Sequence, residues 1–486
     1  MPGCEFLRRT SRKGLILAII DGLTPGLLER GIEGGSLPTL ARLMEEGEYA
    51  RATTTFPSLT PVCLASIATG AHPDVHHIPH LAWYHRGERR IVEYGSSFPA
   101  MRAVGARQAI RDTIFNLSHA HLNARATTLF EAVEDAGLTP AAINFTCYRG
   151  RTRHPTKLAA LASRNGWYEA LYGPRHFFFF NLCESDATGA PLAVRSRLAG
   201  STDAYAGLVG RWLVTRDAFD LLVFYLPDLD YASHLDGPSF ALAALERADA
   251  SFAQLVEAAG GLDALLERYA VLISADHGQS DVAEVVSLQQ SFADLAVFPG
   301  RRADPSDFDL VVTASNRAGQ VYRLPSSPLD ARELAERLDG VRGADVVLFR
   351  DEEGAVARRD GEELRFRPVH GSWRLAGEPA VLDSEAYPNG VERAWRALAC
   401  PNAGDVLVSA REGFEFADLG GRHHAGGGSH GSLAARDSVV PVVAAGFDAS
   451  PLPAAPATTD FAPLALTHLG VAPPASMLVA SEAARG

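Results

Sequence analysis

Apolar runs that stop at polar, chemically reactive residues are the most informative pattern in this sequence. Ala270 to Ala275 and Leu15 to Ile20 are apolar stretches with β-branched residues, and they are followed directly by Asp276-His277 and by Asp21. Such runs are typical of strands that are covered on both faces, as in parallel sheets. Ligands collect beyond the carboxyl ends of these strands. We therefore expect the chemistry of this protein at those two strand ends.

Other segments extend the same alternation of strands and helices. Asp220 to Pro227 contains a third apolar run, and Pro140 to Phe145 predicts another strand. Periodic apolar positions predict helices over Leu37 to Glu46 and over Ser239 to Ala259. Strands that alternate with helices favour an α/β fold with a parallel sheet.

The stretch from residue 291 to residue 400 has a different character. It contains short predicted strands, Leu310 to Thr313 and Val346 to Phe349, around a helix predicted at Asp330 to Leu338. We interpret this stretch as an inserted or smaller α+β subdomain. Residues 1–290 and 401–486 are then predicted to form the main core.

Charge and cysteine content argue against several classes of protein. The 486 residues carry a formal net charge of −13, which disfavours binding to nucleic-acid polymers or to anionic membrane surfaces. No apolar stretch reaches the about 20 residues that a membrane helix needs, and the apolar run ending at Ile20 is too short for a signal peptide. The five scattered cysteines lack CxxC spacing, which disfavours a disulfide framework or a thiolate zinc site. We expect a cytoplasmic protein of enzyme size.

Carboxylates and imidazoles occur together in four separate segments. These candidate metal ligands are Asp21, Asp230 with His234, Asp276 with His277, and His430. Asp230 and His234 are four residues apart, so one helical turn would place both on one face. Each segment alone has an ordinary structural explanation. Their common position at predicted strand ends or in glycine-rich loops favours a site for two divalent metal ions.

Thr60 is the candidate nucleophile. It lies between a predicted strand, Tyr49 to Thr55, and a helix, with Pro61 predicted at the first helical position and Thr60 at the N-cap. At that position a hydroxyl faces the positive end of the helix dipole, where a phosphate would also bind. Capping alone would explain the same placement, so both roles stay open.

Three further groups are candidates for contact with a substrate or a metal. Arg149 and Arg151 belong to a basic cluster that follows a predicted strand, and they would bind an anionic substrate or form a charged surface. His424 lies in the glycine-rich loop before His430 and is a third candidate substrate contact. The histidine-rich loop from His72 to His80 would hold metal or form a solvated or substrate-facing rim.

Several short motifs together resemble the alkaline phosphatase superfamily, and its type I phosphodiesterase/nucleotide pyrophosphatase branch most closely. The matching residues are Asp21-Gly22, Phe56-Pro57-Ser58-Leu59-Thr60, Thr69-Gly70 with Pro73, Asp230 to His234 with Gly237-Pro238, Asp276-His277-Gly278 and His430-Gly431. The resemblance implies a doubly wound, mostly parallel central sheet with helices on both faces. It also implies a hydrolase that acts on a small phosphorylated substrate.

The resemblance further implies two bound divalent ions, zinc first and manganese or iron as alternatives. One ion would be held by Asp230, His234 and His430, and the other by Asp21, Thr60, Asp276 and His277. Thr60 would attack phosphorus in line and form a phosphothreonine intermediate, which water would then hydrolyse.

One departure from the branch concerns the substrate. Diesterases of this group carry an asparagine about twenty residues after the nucleophile, whereas counting without gaps reaches Leu81 here. A phosphodiester or pyrophosphate bond is the leading expectation, and a phosphomonoester or phosphonate bond is the alternative. A metal-bound scaffold without catalysis is a third possibility, which the threonine and the full ligand set disfavour.

Overall fold

A large central sheet organises the computed structural model, which describes residues 12–155, 170–180, 183–185, 201–301 and 303–477. The sheet has eight strands, in the spatial order Gly47–Thr53, Val439–Ala445, Tyr269–Ser274, Gly14–Ile20, Leu221–Leu226, Pro140–Ile143, His176–Phe179 and Cys183–Ser185. Every pairing from Tyr269–Ser274 to His176–Phe179 is parallel. Val439–Ala445 and Cys183–Ser185 run antiparallel to their neighbours. The predicted mostly parallel α/β sheet is confirmed.

Helices cover both faces of this sheet, because its strands are apolar on both sides. The longer ones are Pro25–Glu33, Pro38–Glu45, Thr60–Thr69, Leu129–Asp135, Thr202–Thr215, Asp228–Asp236, Leu242–Ala259, Leu262–Arg268 and Phe461–His468. Pro38–Glu45 and Thr202–Thr215 pack against Leu242–Ala259, whereas Phe461–His468 packs against Thr60–Thr69 and Leu129–Asp135. Within the ranges described, none of the helices combines the length and apolar character required to cross a membrane.

A second sheet of seven antiparallel strands forms the smaller α+β part. Its order is Leu310–Ser315, Ala318–Arg323, Val406–Ala410, Ala344–Arg350, Ala355–Arg359, Glu362–Val369 and Ser372–Gly377. The helices Ala331–Asp339 and Gly390–Leu398 pack on it. The strand Val406–Ala410 falls in the range predicted for the main core, yet it lies inside this second sheet. Its residues are buried, and it pairs with a strand on each side. Such pairing depends on residues far away in the chain, so the hydrophobic pattern of the strand itself does not predict it.

Shorter elements complete the described fold. A three-stranded sheet contains Gly413–Phe416, Ser280–Val286 and Gly428–Ser429, and two hairpin-like pairs join Ala82–His85 to Arg90–Glu93 and Thr152–Pro155 to Ala170–Gly173. Short helices span Pro73–His76, Phe98–Val104, Ala106–Arg111 and Ala435–Ser438, and a π-helix spans Asp112–His121. The π-helix is uncommon and such turns occur often at functional sites.

Candidate active site

Three carboxylates meet at one edge of the central sheet. Asp21 follows Gly14–Ile20, Asp276 follows the neighbouring strand Tyr269–Ser274, and Asp230 lies on the helix that follows Leu221–Leu226. These three strands are adjacent and parallel, so their carboxyl ends lie side by side. All three carboxylates are buried. The sequence-based expectation of chemistry at these ends therefore agrees with the arrangement of the strands.

The first group of potential metal ligands joins Asp21, Asp276 and His277, whose ligand atoms all lie within 4.8 Å of one another. The Nε2 atom of His277 is 3.3 Å from Oδ1 of Asp21 and 3.4 Å from Oδ2 of Asp276. The hydroxyl of Thr60 lies 3.0 Å from the same Nε2 atom. The geometry thus brings together all four residues that the resemblance implies for one ion.

The second group joins Asp230, His277 and His430, again with ligand atoms within 4.8 Å of one another. The Nε2 atom of His234 is 3.2 Å from Oδ2 of Asp230, as the four-residue spacing predicts, and Nε2 of His430 is 3.7 Å from Oδ1. The rings of His277 and His430 stack with centroids 3.6 Å apart. His277 therefore belongs to both groups, and the two groups form one continuous cluster.

Backbone carbonyls orient the three imidazoles of the cluster. Nδ1 of His234 lies 2.8 Å from the carbonyl of Gly428, Nδ1 of His430 lies 2.8 Å from that of Ser58, and Nδ1 of His277 lies 3.1 Å from that of Gly278. A carbonyl oxygen only accepts, so each Nδ1 carries the proton. Each Nε2 is then left facing the carboxylates, which is the arrangement that metal-binding histidines use.

The cluster brings three buried carboxylates close together, and this crowding shifts the pKa values of its members. Burial, together with the charges of Asp276 and Asp230, raises the pKa of Asp21 well above its usual value. Burial also raises the pKa of Asp276. Burial alone would raise the pKa of Asp230 as well, but the neighbouring His234 holds it below its usual range. Burial opposes protonation of His234, yet Asp230 raises its pKa to about 8.

Two buried carboxylate oxygens indicate whether this cluster would suit a cation. Oδ1 of Asp21 and Oδ2 of Asp276 are buried and have no hydrogen-bond partner among the described residues. A buried anionic oxygen without a partner is costly unless a cation or a donor compensates it. Oxygen and imidazole ligands of this kind suit zinc and other first-row divalent metals. The residues present therefore fit a metal centre.

Thr60 occupies a slightly different position from the predicted one. The helix begins at Thr60 itself, with Leu59 at the N-cap and Pro61 one position further inside. The hydroxyl of Thr60 lies against His277. Its side chain is therefore directed to the cluster rather than to the first turn of its own helix, which removes capping as its main role.

Sequence reasoning missed three polar residues that contact the cluster. The hydroxyl of Tyr225 donates to Oδ2 of Asp21, and the amide of Gln279 donates to Oδ1 of Asp230. The amide of Asn316, which directly follows a strand of the second sheet, lies 2.8 Å from Nε2 of His430. Gln279 could have been noticed because it follows Asp276-His277-Gly278. Asn316 carried no local signal, since only the packing of the second sheet brings it here.

The three residues predicted to contact the substrate have different surroundings. His424 stacks on His234 with ring centroids 4.0 Å apart, and its Nδ1 lies 2.6 Å from the carboxylate of Glu415. Arg149 donates to the carbonyls of Leu122, Asn123 and Ala126 and to Glu131. Arg151 is half-exposed and pairs with Glu131 and Asp135.

His424 is thus at the site, whereas the structure does not bring the two arginines there. The physical reason is that both guanidinium groups are bound by acceptors close to them in the fold. The guanidinium of Arg149 donates to three backbone carbonyl oxygens. Arg151 pairs with two carboxylates on the helix Leu129–Asp135.

Three histidines of the histidine-rich loop are buried inside the protein. His72, His76 and His80 are buried, and Nε2 of His76 lies 3.0 Å from the hydroxyl of Ser66. Burial lowers the pKa of His72 to about 3 and that of His80 to about 4. In the part of the chain that the structure describes, these histidines belong to neither group that could hold metal. They are core residues rather than a solvated rim.

A cavity of about 650 Å³ opens onto the cluster. Asp21, Thr60 and Asp230 are part of its wall, as are His424 and Asn316. Leu81 also lines it, although the resemblance leads one to expect an asparagine near that position. Much of the remaining wall is apolar. The site therefore combines a charged floor with a largely apolar approach.

Comparisons with known proteins agree with this fold. The chain resembles a phosphonoacetate hydrolase from Sinorhizobium meliloti 1021, solved with phosphonoformate, at 21% identity and a TM-score of 0.57, covering 94% of this chain and 96% of that one. The same enzyme with phosphonoacetate gives 19% identity, a TM-score of 0.57, and coverage of 94% and 96%. Murine ectonucleotide pyrophosphatase/phosphodiesterase 5 gives 12% identity and a TM-score of 0.55, covering 95% of this chain and 96% of that one. No curated protein sequence matches the chain.

These likenesses establish the alkaline phosphatase-like fold. The family model described as type I phosphodiesterase / nucleotide pyrophosphatase matches residues 15–433. This match supports a phosphoester hydrolase, and the chain has Asp and His groups that could bind metal. Because it extends over most of the sequence, the chain belongs to the type I phosphodiesterase/nucleotide pyrophosphatase family, within the alkaline phosphatase superfamily.

Proposed function

We propose that the protein hydrolyses phosphodiester or pyrophosphate bonds with two divalent metal ions, most simply zinc, through a phosphothreonine intermediate on Thr60. The observation that carries this proposal is the position of the Thr60 hydroxyl, 3.0 Å from Nε2 of His277. His277 is the residue shared by both potential metal groups. The hydroxyl therefore lies against a ligand atom that both groups share.

The ligand residues divide as the resemblance implies. Asp21, Asp276 and His277 with Thr60 would hold one ion, and Asp230, His234 and His430 would hold the other. Ions bound in this way would lower the pKa of a hydroxyl or water and stabilise the entering and leaving oxygens.

The protein's own groups orient the phosphoryl group. Thr60 begins a helix of ten residues, and the positive end of its dipole would favour an anionic phosphoryl group at this point. The amide of Asn316 lies at the same wall of the cavity and can donate to a phosphoryl oxygen. In the leading proposal this amide would take the place of the asparagine that Leu81 does not supply.

His424 is proposed as a further substrate contact. Glu415 is buried and accepts hydrogen bonds from Nδ1 and from the backbone N–H of His424, each over 2.6 Å. Those bonds fix the ring at the wall of the cavity and leave Nε2 for an oxygen of the substrate. Arg149 and Arg151 are not part of the proposed site.

A phosphomonoester or phosphonate bond is the second candidate substrate, with the same metal site. The observation in its favour is Leu81, which lines the cavity in the region where a diesterase of this group would place an asparagine amide. An apolar side chain there offers no hydrogen bond to an additional phosphoryl oxygen.

The nucleophile is tested by comparing Thr60→Ala and Thr60→Ser in metal-saturated protein. Thr60→Ala should retain about two ions by elemental analysis, because six other ligands remain, and should lose turnover by several orders of magnitude. Thr60→Ser keeps a hydroxyl and should retain substantial activity. Rapid acid quench and mass spectrometry of the wild type should find a phosphoryl adduct on Thr60.

The substrate class is tested with bis-4-nitrophenyl phosphate, 4-nitrophenyl phosphate and phosphonoacetate in parallel. Preference for the diester supports the leading proposal, and preference for either of the others supports the second candidate. Turnover by Thr60→Ala near the wild-type rate with metals bound would show that a water attacks directly. A metal-loaded protein that turns over none of a broad ester panel would be a scaffold rather than an enzyme.

A further inference from the structure

The cavity beside the cluster is far larger than a phosphoryl group requires. Its volume of about 650 Å³ lies within the range of about 300–1,000 Å³ found for sites of drug-sized ligands. The candidate metal ligands and Thr60 make up only part of its lining. The rest of the space is therefore available to another part of the substrate.

One helix presents both the metal ligands and an apolar stripe to this cavity. On Asp228–Asp236, Asp230 and His234 are four residues apart, and so are their neighbours Tyr231 and Leu235. All four line the cavity. Tyr231 is 59% exposed and Leu235 is 71% exposed, so both side chains are accessible to a ligand in the cavity. The apolar surface thus begins directly next to the ligand positions.

A second apolar part of the wall comes from the segments around the π-helix. Met101, Ile110 and Ile114 line the cavity and are only partly buried, so their side chains reach the open space. The π-helix that carries Ile114 is held in place by Asp112, which accepts two hydrogen bonds from Arg90 over 2.6 and 2.9 Å. The wall is therefore a built surface rather than a loose loop.

Charge on the cavity wall restricts what can fill it. Among the described residues of the wall, Arg422 is the one side chain that carries a permanent positive charge, and it is exposed. A second phosphate deep in the cavity would therefore lack the cluster of cations that polyphosphate recognition uses. An uncharged group, by contrast, would bury apolar surface on both sides.

From this cavity we infer that the substrate of the proposed reaction carries an uncharged alkyl or aryl substituent, which lies between the Tyr231–Leu235 stripe and the wall formed by Met101, Ile110 and Ile114. This inference rests on the proposed function and names its substrate class. The net reaction through Thr60 is unchanged: the phosphorus–oxygen bond to the leaving alcohol breaks, the hydroxide part of a water bonds to phosphorus, and the proton of that water ends on the alcohol. The apolar substituent supplies binding energy.

Binding can be tested separately from chemistry with n-alkylphosphonates. Isothermal titration of the metal-loaded protein should compare methyl-, butyl- and hexylphosphonate with thymidine 5′-monophosphate. Each buried methylene is expected to tighten binding by at most about fourfold. Even at about twofold per methylene, as for a half-buried chain, the five additional methylenes should make hexylphosphonate bind at least about 30-fold more tightly than methylphosphonate. It should also bind more tightly than the nucleotide.

A parallel kinetic series uses 4-nitrophenyl methyl, butyl and hexyl phosphates together with the matching alkyl phosphate monoesters. The ratio of kcat/KM for hexyl to methyl esters should rise in whichever class the enzyme hydrolyses. Leu235→Ser and Ile110→Ser should both lower this ratio. Leu375→Ser is the matched control, because Leu375 is also an exposed leucine, at 46%, but lies on a strand of the second sheet away from the cavity.

The outcomes separate this inference from the proposed function. Equal affinity along the alkyl series, absence of any phosphonate binding, or tighter binding of the nucleotide would overturn the apolar substituent. So would an unchanged hexyl-to-methyl ratio in both cavity variants. Chain-length-dependent binding by a protein that hydrolyses no ester would support the inference about the ligand and refute the proposed hydrolysis.

Discussion

Replacing Asp276 by asparagine is expected to change stability in opposite directions with and without metal. Oδ1 of Asp276 accepts hydrogen bonds from the backbone N–H groups of Gly22 and His277, over 3.3 and 3.0 Å. An asparagine oxygen can keep both bonds. Its NH₂ group would then take the position of Oδ2, which has no hydrogen-bond partner and belongs to the same group as the unpartnered Oδ1 of Asp21.

The magnitude follows from the distance between the charges. Two like charges 4.8 Å apart, the limit for the group, repel by about 3.5 kcal/mol at an effective dielectric constant of about 20. Removing one charge should stabilise the metal-free protein by about 3 kcal/mol or less, because part of the repulsion is already relieved by protonation. With about 2 cal/mol/K of unfolding entropy per residue, that gain raises Tm by about 3 °C.

With metal present, the same substitution should be destabilising. Ions that bind only the folded state contribute about 2.7 kcal/mol at a concentration of about 100 times Kd. Asp276→Asn removes a charged candidate ligand. The variant should therefore lose most of the stabilisation that the ion bound at this position would give. Thermal unfolding is therefore to be measured for wild type and variant, each after chelation and each with saturating zinc.

The pH dependence provides a second check on the same reasoning. The pKa values of Asp21 and Asp276 are raised in the folded protein, so folding stability from these groups is present at low pH and is lost as pH rises through their folded pKa values. The advantage of the metal-free variant should therefore grow from pH 5 to pH 8. Asp281→Asn is the charge-matched control at an exposed position. A metal-free Asp276→Asn protein less stable than wild type, or an unchanged gain on adding zinc, would refute the argument.

Three further changes test other parts of the structure. Tyr225→Phe removes the hydroxyl that donates to Asp21 and should weaken zinc binding by about 10- to 100-fold in a competition assay with a chromophoric chelator. Arg151→Ala should leave KM for an anionic ester within about twofold, because its carboxylate partners are outside the cavity, and a clear rise in KM would return it to the substrate site. Arg149→Ala should instead lower Tm, because three backbone carbonyls lose a donor. His72 has a folded pKa of about 3, so its contribution to stability is present above the unfolded pKa of about 6.5 and is lost as pH falls, by up to about 1.4 kcal/mol per pH unit. His72→Gln should show a correspondingly shallower acid destabilisation in Tm, and an unchanged slope would contradict the assignment of a neutral buried ring.

The sequence alone determined much of the main core and of the cluster of residues that could hold metal. Continuous apolar runs predicted the strands that carry Asp21 and Asp276, since a strand covered on both faces has no polar positions until it reaches the sheet edge. Asp230 and His234 could be paired because a helical turn is a local property of the chain. The resemblance of several short motifs then connected these segments with Thr60 and His430.

Tertiary structure decided what depends on contacts between distant segments. Only the pairing of strands placed Val406–Ala410 in the second sheet, and only the packing of that sheet brought Asn316 to His430. The apolar cavity is likewise assembled from separated helices, none of which signals a shared wall in its own pattern. Arg149 looked available to a substrate because the sequence shows its charge but not the carbonyl oxygens that bind it. Local chemistry can be read from neighbouring residues, whereas partners far apart in the chain are fixed by the fold as a whole.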